Sequence, residues 1–566
     1  MARARGFFSI AAVTAAMFVL FASHGRTQTD SPLIVLQGVG LPGVDEGPLP
    51  DDSHRPGSPE SRRRASIHAE NTPIRTSASG RQYEAGRVIV KFRDNVAARV
   101  RDEVIRAATS TGIMRARPEH ADFDLVSIDP AEDAEAAAAN FRGRDEVEYA
   151  QAAYRMKSSM VPNDPNYKDL QWNFPVLNLE QAWDIQPQAG SSIIVAVVDT
   201  GMAYQSATLD VTIRGFRDDF GNVYPPLGHQ LIPYAAADQL VGGGHGSRIV
   251  SPKDFTWSTP QPPLDFDGHG THVSGTIGQL TNDGVGVAGV AFNVKLMPVK
   301  VLASPWDVLF GGAPDVGGSD DQVAQGVRYA ADNGAKVINM SLGSSGPPNC
   351  GANPNQSGCS PVIEAAMRYA VGKGAFISVA AGNEFEDVIP PFGQNPTSVL
   401  AEVASRIPGV VSVAAVDRHI VGQTGALRCQ GTPSSPDCHA YYSSAGPYVE
   451  LAAPGGSERE FGRDGFIRQQ TFDFTFTDTF DLLPAQYHAP RFDVFGTIGY
   501  IGTSMAAPHV SGIAAMLMQQ GITDPAAVEA ALEKFAIDLG TPGRDDKFGF
   551  GLVDARAALR GLGLAR

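Results

Sequence analysis

Cysteine is scarce in this chain. There are four in 566 residues, and no two form a Cys-x-x-Cys pair, so a strong zinc pattern is missing. Charged residues are also few, at 19% against 43% hydrophobic, which excludes wholesale disorder. Basic residues are in the minority, 45 against 61 acidic, for a formal net charge of −16. Residues 1–157 hold 21 of each sign, so the whole excess falls after residue 157. An acidic body disfavours nonspecific nucleic-acid binding, which sets Lys and Arg against phosphate. Long apolar runs are nearly absent. Gly6 to Ala22 is uncharged but spans 17 residues, just short of the ~18 expected of a membrane helix. It follows Arg3 and Arg5 and precedes Ser23-His24-Gly25, so residues 1–25 read as a secretory signal rather than a membrane anchor. No cysteine lies at its end to carry a lipid. The reading is a secreted or periplasmic protein with no membrane contact after cleavage. In an exported chain four cysteines pair in one of three ways. The sequence-local pairing is favoured, Cys350 with Cys359 and Cys429 with Cys438, because each encloses a loop rich in Gly, Pro, Ser or Asn.

What the chain has in quantity is glycine (61) and proline (40), which suits a loop-rich α/β protein better than a helical bundle. Residues 26–80 are polar, carry Arg62-Arg63-Arg64, and read as a flexible linker. From 81 to 157 the order is β-α-β-α-β: strands at Arg87–Phe92, Phe123–Ile128 and from Val147, helices at Ala97–Thr109 and Ala131–Phe141. This predicts a small α+β domain, near the size where independent stability is marginal. Beyond it, Ile193–Val198, Lys295–Val301, Lys336–Met340, Phe376–Ala380 and Val410–Val416 are apolar runs typical of strands buried on both faces. Helical segments at Gln322–Asn333, Ser360–Gly372 and Asp524–Phe535 separate or follow them, so residues 158–566 predict a mainly parallel sheet covered on both sides. Two stretches look inserted, 201–263 and 455–495. In the second, Phe472, Phe474 and Phe476 alternate with polar residues and predict a strand of a hairpin packed on the body.

Three motifs carry chemistry. Val197-Val198-Asp199-Thr200-Gly201 ends a buried strand in a carboxylate, which can hold an imidazole in one tautomer. An aspartic protease would need a second such aspartate, and none is seen. Asp267-Gly268-His269-Gly270-Thr271-His272 surrounds a general-base candidate with small residues. A zinc site from His269 and His272 would lack the usual His-Glu-x-x-His pattern. Gly502-Thr503-Ser504-Met505-Ala506-Ala507-Pro508-His509 sets Ser504 where a helix begins, among N–H groups that favour developing negative charge. A fourth segment, Val379 to Asn383, ends a strand in a side-chain amide able to donate to an oxyanion.

In this order, Asp, His, Ser, the motifs resemble those of subtilisin-like serine proteases over roughly 162–562. The resemblance implies a three-layer α/β/α fold and a serine endopeptidase working through an acyl-enzyme. Asp199 would be the orienting acid, His269 the general base, Ser504 the nucleophile and Asn383 the oxyanion donor. Ser341-Leu342-Gly343 resembles the substrate-pairing strand that lines the S1 pocket. No cofactor is implied for catalysis. Residues 81–157 resemble the family's ferredoxin-like inhibitory propeptide, which makes the chain a self-processing zymogen cut between about Tyr154 and Pro162. Structural calcium is implied, and Thr281 to Val287 resembles a family calcium loop, but Gln205 to Asp210 offers no obvious acidic ligand. Glu384 and Glu386, beside Asn383, read as solvated loop charges rather than as a selector for a basic P1 residue. The rival readings are a sedolisin-like enzyme, disfavoured by His269, a catalytically dead binding protein, and a maturation enzyme with one protein target.

Overall fold

This computed structural model describes residues 73–561, apart from 78–81, 116, 119, 156–159, 219, 243–247, 347–349, 351–358, 386–396, 422–426, 430–437 and 460–461. The signal-peptide reading, most of the linker reading and Glu386 therefore lie outside the described residues. The chain divides into two compact units, 1–66 and 67–566, and every described residue falls in the second.

The first element group spans 74–154. Strands β1 (Gln82–Phe92), β2 (Asp124–Ser127) and β3 (Val147–Tyr154) pair antiparallel with β1 in the middle. Helices α1 (Ala98–Ala108) and α2 (Ala134–Arg142) join them in one apolar core that includes Val88, Val90, Ile105, Val126 and Phe141. The expected β-α-β-α-β order is present with two further short strands: Ile74–Thr76, inside the segment read as linker, against Gln82–Glu84, and Ile113–Met114 against Val126–Ser127. One buried position of β2 is Asp124, at 3% exposure. Its carboxylate is held by Arg101 at 3.2 Å and Arg117 at 2.9 Å, which is how a charge is accommodated on the core face.

The second group is built on seven parallel strands. In chain order these are β4 (Ile194–Asp199), β5 (Lys253–Asp254), β6 (Lys295–Lys300), β7 (Val337–Met340), β8 (Phe376–Ala380), β9 (Val410–Val416) and β10 (Leu451–Pro454). Their order across the sheet is β5-β6-β4-β7-β8-β9-β10. Alternate residues of β4 feed two different cores, as a strand's period of two requires. Val195 and Val197 pack with helix α6 (Thr503–Gln519). Ala196 and Val198 pack with α4 (Asp320–Asp332) and α5 (Pro361–Gly372). Helices on both faces make the three layers. Helix α3 (His269–Gly278) follows β5, and α7 (Pro525–Lys534) follows α6, with the Asp524 carboxylate accepting from Ala526 N–H as its N-cap.

The inserts differ from expectation in one respect. Residues 467–472 pair antiparallel with 495–500, so a hairpin exists, but its first strand stops at Phe472. Phe474–Thr477 is a helical turn instead of a continued strand. The Asp473 side chain accepts from Thr475 N–H and starts that turn, a local bond that outcompetes the alternating pattern. In the other insert Ala207–Ile213 pairs with Gly228–Tyr234 as a hairpin, and 253–254 joins the sheet edge.

Cys350 and Cys359 form the expected disulfide. Cys438 is also disulfide-bonded, while the side chain of Cys429 lies outside the described residues.

Candidate active site

Strand β4 delivers Asp199 to its carboxyl end, fully buried. Parallel α/β sheets gather ligand sites at such ends. The Asp199 Oδ1 accepts from Thr200 N–H at 2.7 Å and pairs with His269 Nδ1 at 2.7 Å, while Oδ2 is buried without a partner. His269 is the first residue of α3, and its side chain is 25% exposed. That exposure leaves its far nitrogen open to the cleft. Burial works against the charged ring, but the charge and hydrogen bond of Asp199, with Asp267 and Asp265 behind, outweigh it and raise His269 to about 9. Burial also pushes the Asp267 carboxyl up to about 6, with the Asp265 charge adding to it.

A buried carboxylate absent from the predicted site holds these segments together. Asp265 accepts from Thr200 Oγ1 at 3.0 Å, Asp267 N–H at 3.0 Å, Gly268 N–H at 2.9 Å, Thr271 N–H at 2.8 Å and Thr271 Oγ1 at 2.7 Å. Thr200 Oγ1 in turn accepts from Gly270 N–H at 2.9 Å. A Cβ at Gly270 would stand 2.2 Å from Gly201 O, so glycine is what allows α3 to approach the β4 end.

Ser504 is the second residue of α6 and is half-buried. Gly502 precedes it at φ +146°, and first-turn N–H groups lack intrahelical partners. The Ser504 hydroxyl donates to Ser341 O at 3.2 Å, and among the described residues no hydrogen bond joins it to His269. Ser341 lies just past β7, and its own hydroxyl donates to Ser504 O at 2.7 Å. Ser341 is buried, Leu342 half-buried and Gly343 exposed, so the segment runs from the core to the cleft rim.

Asn383 sits past β8. Its Oδ1 accepts from Thr503 N–H and Thr503 Oγ1, both at 2.9 Å. Those two donors fix the amide so that its NH2 faces away from Thr503 and is free to donate. The serine motif includes Thr503, but only the structure gives it a role, as the anchor of the Asn383 amide. Beyond Asn383, the Glu384 carboxylate accepts from Ser444 Oγ at 3.1 Å. His272 lies inside: its Nε2 donates to Ile467 O at 3.0 Å, its ring stacks on Tyr500 at 4.4 Å, and burial lowers it to about 3.

Asp164 and the 281–287 loop meet through direct hydrogen bonds. Asp164 is 3% exposed, its Oδ2 accepts from Asn282 N–H at 2.7 Å, and its Oδ1 is buried with no partner. Burial raises its carboxyl, and the Asp283 charge adds to the effect. An orphaned, buried carboxylate oxygen beside the charge of a second acid, Asp283, fits a hard cation such as calcium. Asp210, in the segment that offered no obvious ligand, is exposed and pairs with His229 at 2.7 Å.

A parallel sheet with a carboxylate at the carboxyl end of an inner strand, bonded to an imidazole, and a serine in the first turn of a covering helix has the make-up of a serine hydrolase. Comparison with known proteins narrows it. The model of the subtilase family matches residues 190–551, and that of the fervidolysin N-terminal prodomain matches 69–152. Fervidolysin from Fervidobacterium pennivorans is 31% identical over 393 residues, covering 69% of this chain but 44% of that protein. The thermophilic serine proteinase of Bacillus sp. (strain AK1) is 25% identical over 468 residues, covering 82% and 86%. The crystal structure of fervidolysin aligns with a TM-score of 0.43 at 23% identity, covering 85% of this chain and 61% of that one. The chain belongs to the subtilase family and is a serine endopeptidase.

Proposed function

We propose that this protein is a secreted, self-processing zymogen that cleaves peptide bonds through an acyl-enzyme, with Asp199, His269 and Ser504 as its triad. The observation that carries the reading is the 2.7 Å bond between buried Asp199 and the half-open ring of His269. That bond fixes the proton on Nδ1 and leaves Nε2 to take the Ser504 proton, then return it to the leaving amine. The hydroxyl attacks the scissile carbonyl, and the oxyanion meets the Ser504 N–H and the Asn383 NH2. Ser341 to Gly343 would pair with the substrate backbone on the acyl side. Protein or peptide substrates are the partners, and residues 81–157 act as an intramolecular inhibitor.

Maturation falls between Tyr154 and Pro162. Arg155 N–H still bonds Gln82 O in the first sheet, and Met160 N–H bonds Asp184 in the second group, which favours the stretch between them. Secretion is supported by relatives named extracellular proteases in Xanthomonas campestris and Dichelobacter nodosus. No helix among the described residues is long and apolar enough to cross a membrane. For calcium, Asp164 and the 281–287 loop would hold the ion, which would brace the fold and take no part in the reaction.

The test is mass and N-terminal sequence of purified protein, wild type beside Ser504→Ala. Wild type should be cut between 154 and 162 and turn over peptides, while the variant stays full length and loses turnover by several orders of magnitude. Identical cutting of both would remove the self-processing reading, and failure of a serine-reactive probe to label wild type would remove the triad.

A further inference from the structure

Lys300 ends strand β6 with its side chain wholly buried. In the sheet register it stands between Asp199 on one neighbour and Asp254 on the other. An ammonium has three protons to place. Lys300 Nζ donates to Thr200 O at 2.8 Å, Leu264 O at 3.0 Å and Asp307 Oδ2 at 3.0 Å, so all three are used. Thr200 directly follows Asp199. Leu264 directly precedes Asp265, whose carboxylate organises the turn into His269. One cation thus grips the backbone on both sides of the Asp199–His269 pair. Asp307 is fully buried as well, and also accepts from Ser304 N–H, Ser304 Oγ and Trp257 Nε1.

A buried ion pair is weak evidence for stability, because well-packed apolar residues often serve as well or better. The cost of desolvating Lys300 points to another role, and its place supplies one. Three carboxylates, Asp199, Asp265 and Asp267, crowd His269, while Lys300 is the cation beneath them and Asp307 and Asp254 are its acidic neighbours.

We propose that Lys300 is a positioning residue for the peptidase reaction: it ties the segment carrying Asp199 to the segment leading into His269 and offsets the negative charge gathered there. This rests on the triad reading above. Without the cation, the carboxylates hold the imidazole proton more tightly. Without Asp307, the cation repels that proton more strongly. The two losses therefore act in opposite directions on one titration.

The experiment compares Lys300→Met, Asp307→Asn and the double variant with wild type. Three readouts are taken: kcat and KM, the pH profile of kcat/KM, and the pH titration of the downfield imidazole N–H proton by NMR. Lys300→Met should lower kcat at least tenfold with KM within about a factor of two, and move the imidazole midpoint up by about half a unit. Asp307→Asn should move it down by a similar amount, and the double variant should return near wild type. Single variants that lose melting temperature but keep the wild-type midpoint would overturn the proposal. If Lys300→Met does not fold, Asp307→Asn decides alone, since an unmoved midpoint there is equally fatal. A wild type that neither turns over peptide nor reacts with a serine probe would sink the triad reading instead, while the NMR titration would still judge Lys300.

Discussion

At the scale of single residues, chemistry here depends on which proton sits where. His269 acts as a base only when its ring is neutral, and Asp199 makes the charged ring unusually comfortable. A base raised from an ordinary 6.5 to about 9 is protonated over most of the neutral range. Two consequences follow with opposite signs. Activity rises with pH: kcat/KM should climb on a single limb whose midpoint lies alkaline of the ordinary histidine value, up to about 9. Folding stability runs the other way. The charged pair contributes fully below about pH 6.5, and that contribution is lost as pH rises through about 9. A pH series of initial rates on a short peptide checks the first statement. A limb centred at or below 6.5 would contradict the upward shift that Asp199 imposes on His269. The triad candidates were legible because each lies in a short run whose neighbours share its purpose. Thr503 and Lys300 were not, because Asn383, Thr200 and Leu264 reach them from far along the chain, and Asp265 was not, because four of its five bonds are turn bonds with no motif to mark them and the fifth comes from distant Thr200. Lys300 stands within the Lys295–Val301 run, where the sequence gives it no role. Only the fold shows Thr200, Leu264 and Asp307 waiting for its three protons.

At the scale of elements, buried β-branched runs announced the sheet well. Phe376–Ala380 and Val410–Val416 begin and end where the apolar runs do, since strands covered on both faces are apolar at both ends, with one buried serine inside each, Ser378 and Ser412. The Phe472 to Phe476 alternation failed because one Asx-type bond at Asp473 redirects the backbone after the first repeat of the pattern. The N-terminal segment of the catalytic body gives the prediction at this scale. Asn163 and Asp164 bind the 281–287 loop through three hydrogen bonds, each from a backbone N–H to a side-chain oxygen: Asn282 N–H to Asp164 Oδ2, Gly284 N–H to Asn163 Oδ1, and Asn163 N–H to Asn282 Oδ1. Those bonds leave the buried Oδ1 of Asp164 for a cation. EDTA should lower the melting temperature of wild type, by several degrees if binding is a hundredfold above its Kd, which is worth about 2.7 kcal/mol. Asp164→Asn should melt lower than wild type in calcium and be indifferent to EDTA. A wild type whose melting point ignores EDTA would remove calcium from this site.

At the scale of the whole molecule, closing the sheet against helix α7 brings three carboxylates together. Glu450 lies just before β10, and Glu529 and Glu533 lie on α7, with a carboxylate oxygen of each within 4.8 Å of the others. Ser412 N–H donates to Glu450 at 3.0 Å, and Glu529 accepts from Gly409 N–H, so two of the three acids are tied to the β9 region of the sheet. Burial raises Glu450 to about 8, with Glu529 and Glu533 adding to it, and raises Glu533 to about 7. Burial raises Glu529 as well. These acids hold their protons in the folded chain at pH values where the unfolded chain has lost them. Their contribution is therefore fully present below about pH 4.5 and drains away as pH rises through about 7 to 8. The docking of α7 thus weakens over the range in which the active site gains its base, and the two trends set the working window between them. Glu450→Gln keeps the shape and removes the most strongly shifted proton. Melting temperatures of the inactive Ser504→Ala protein, measured from pH 5 to 9 with and without the second change, should fall steeply with pH in the first and more shallowly in the double variant. Parallel curves would mean that Glu450 is ionised at neutral pH in the folded protein and that another group sets the alkaline limit of the fold.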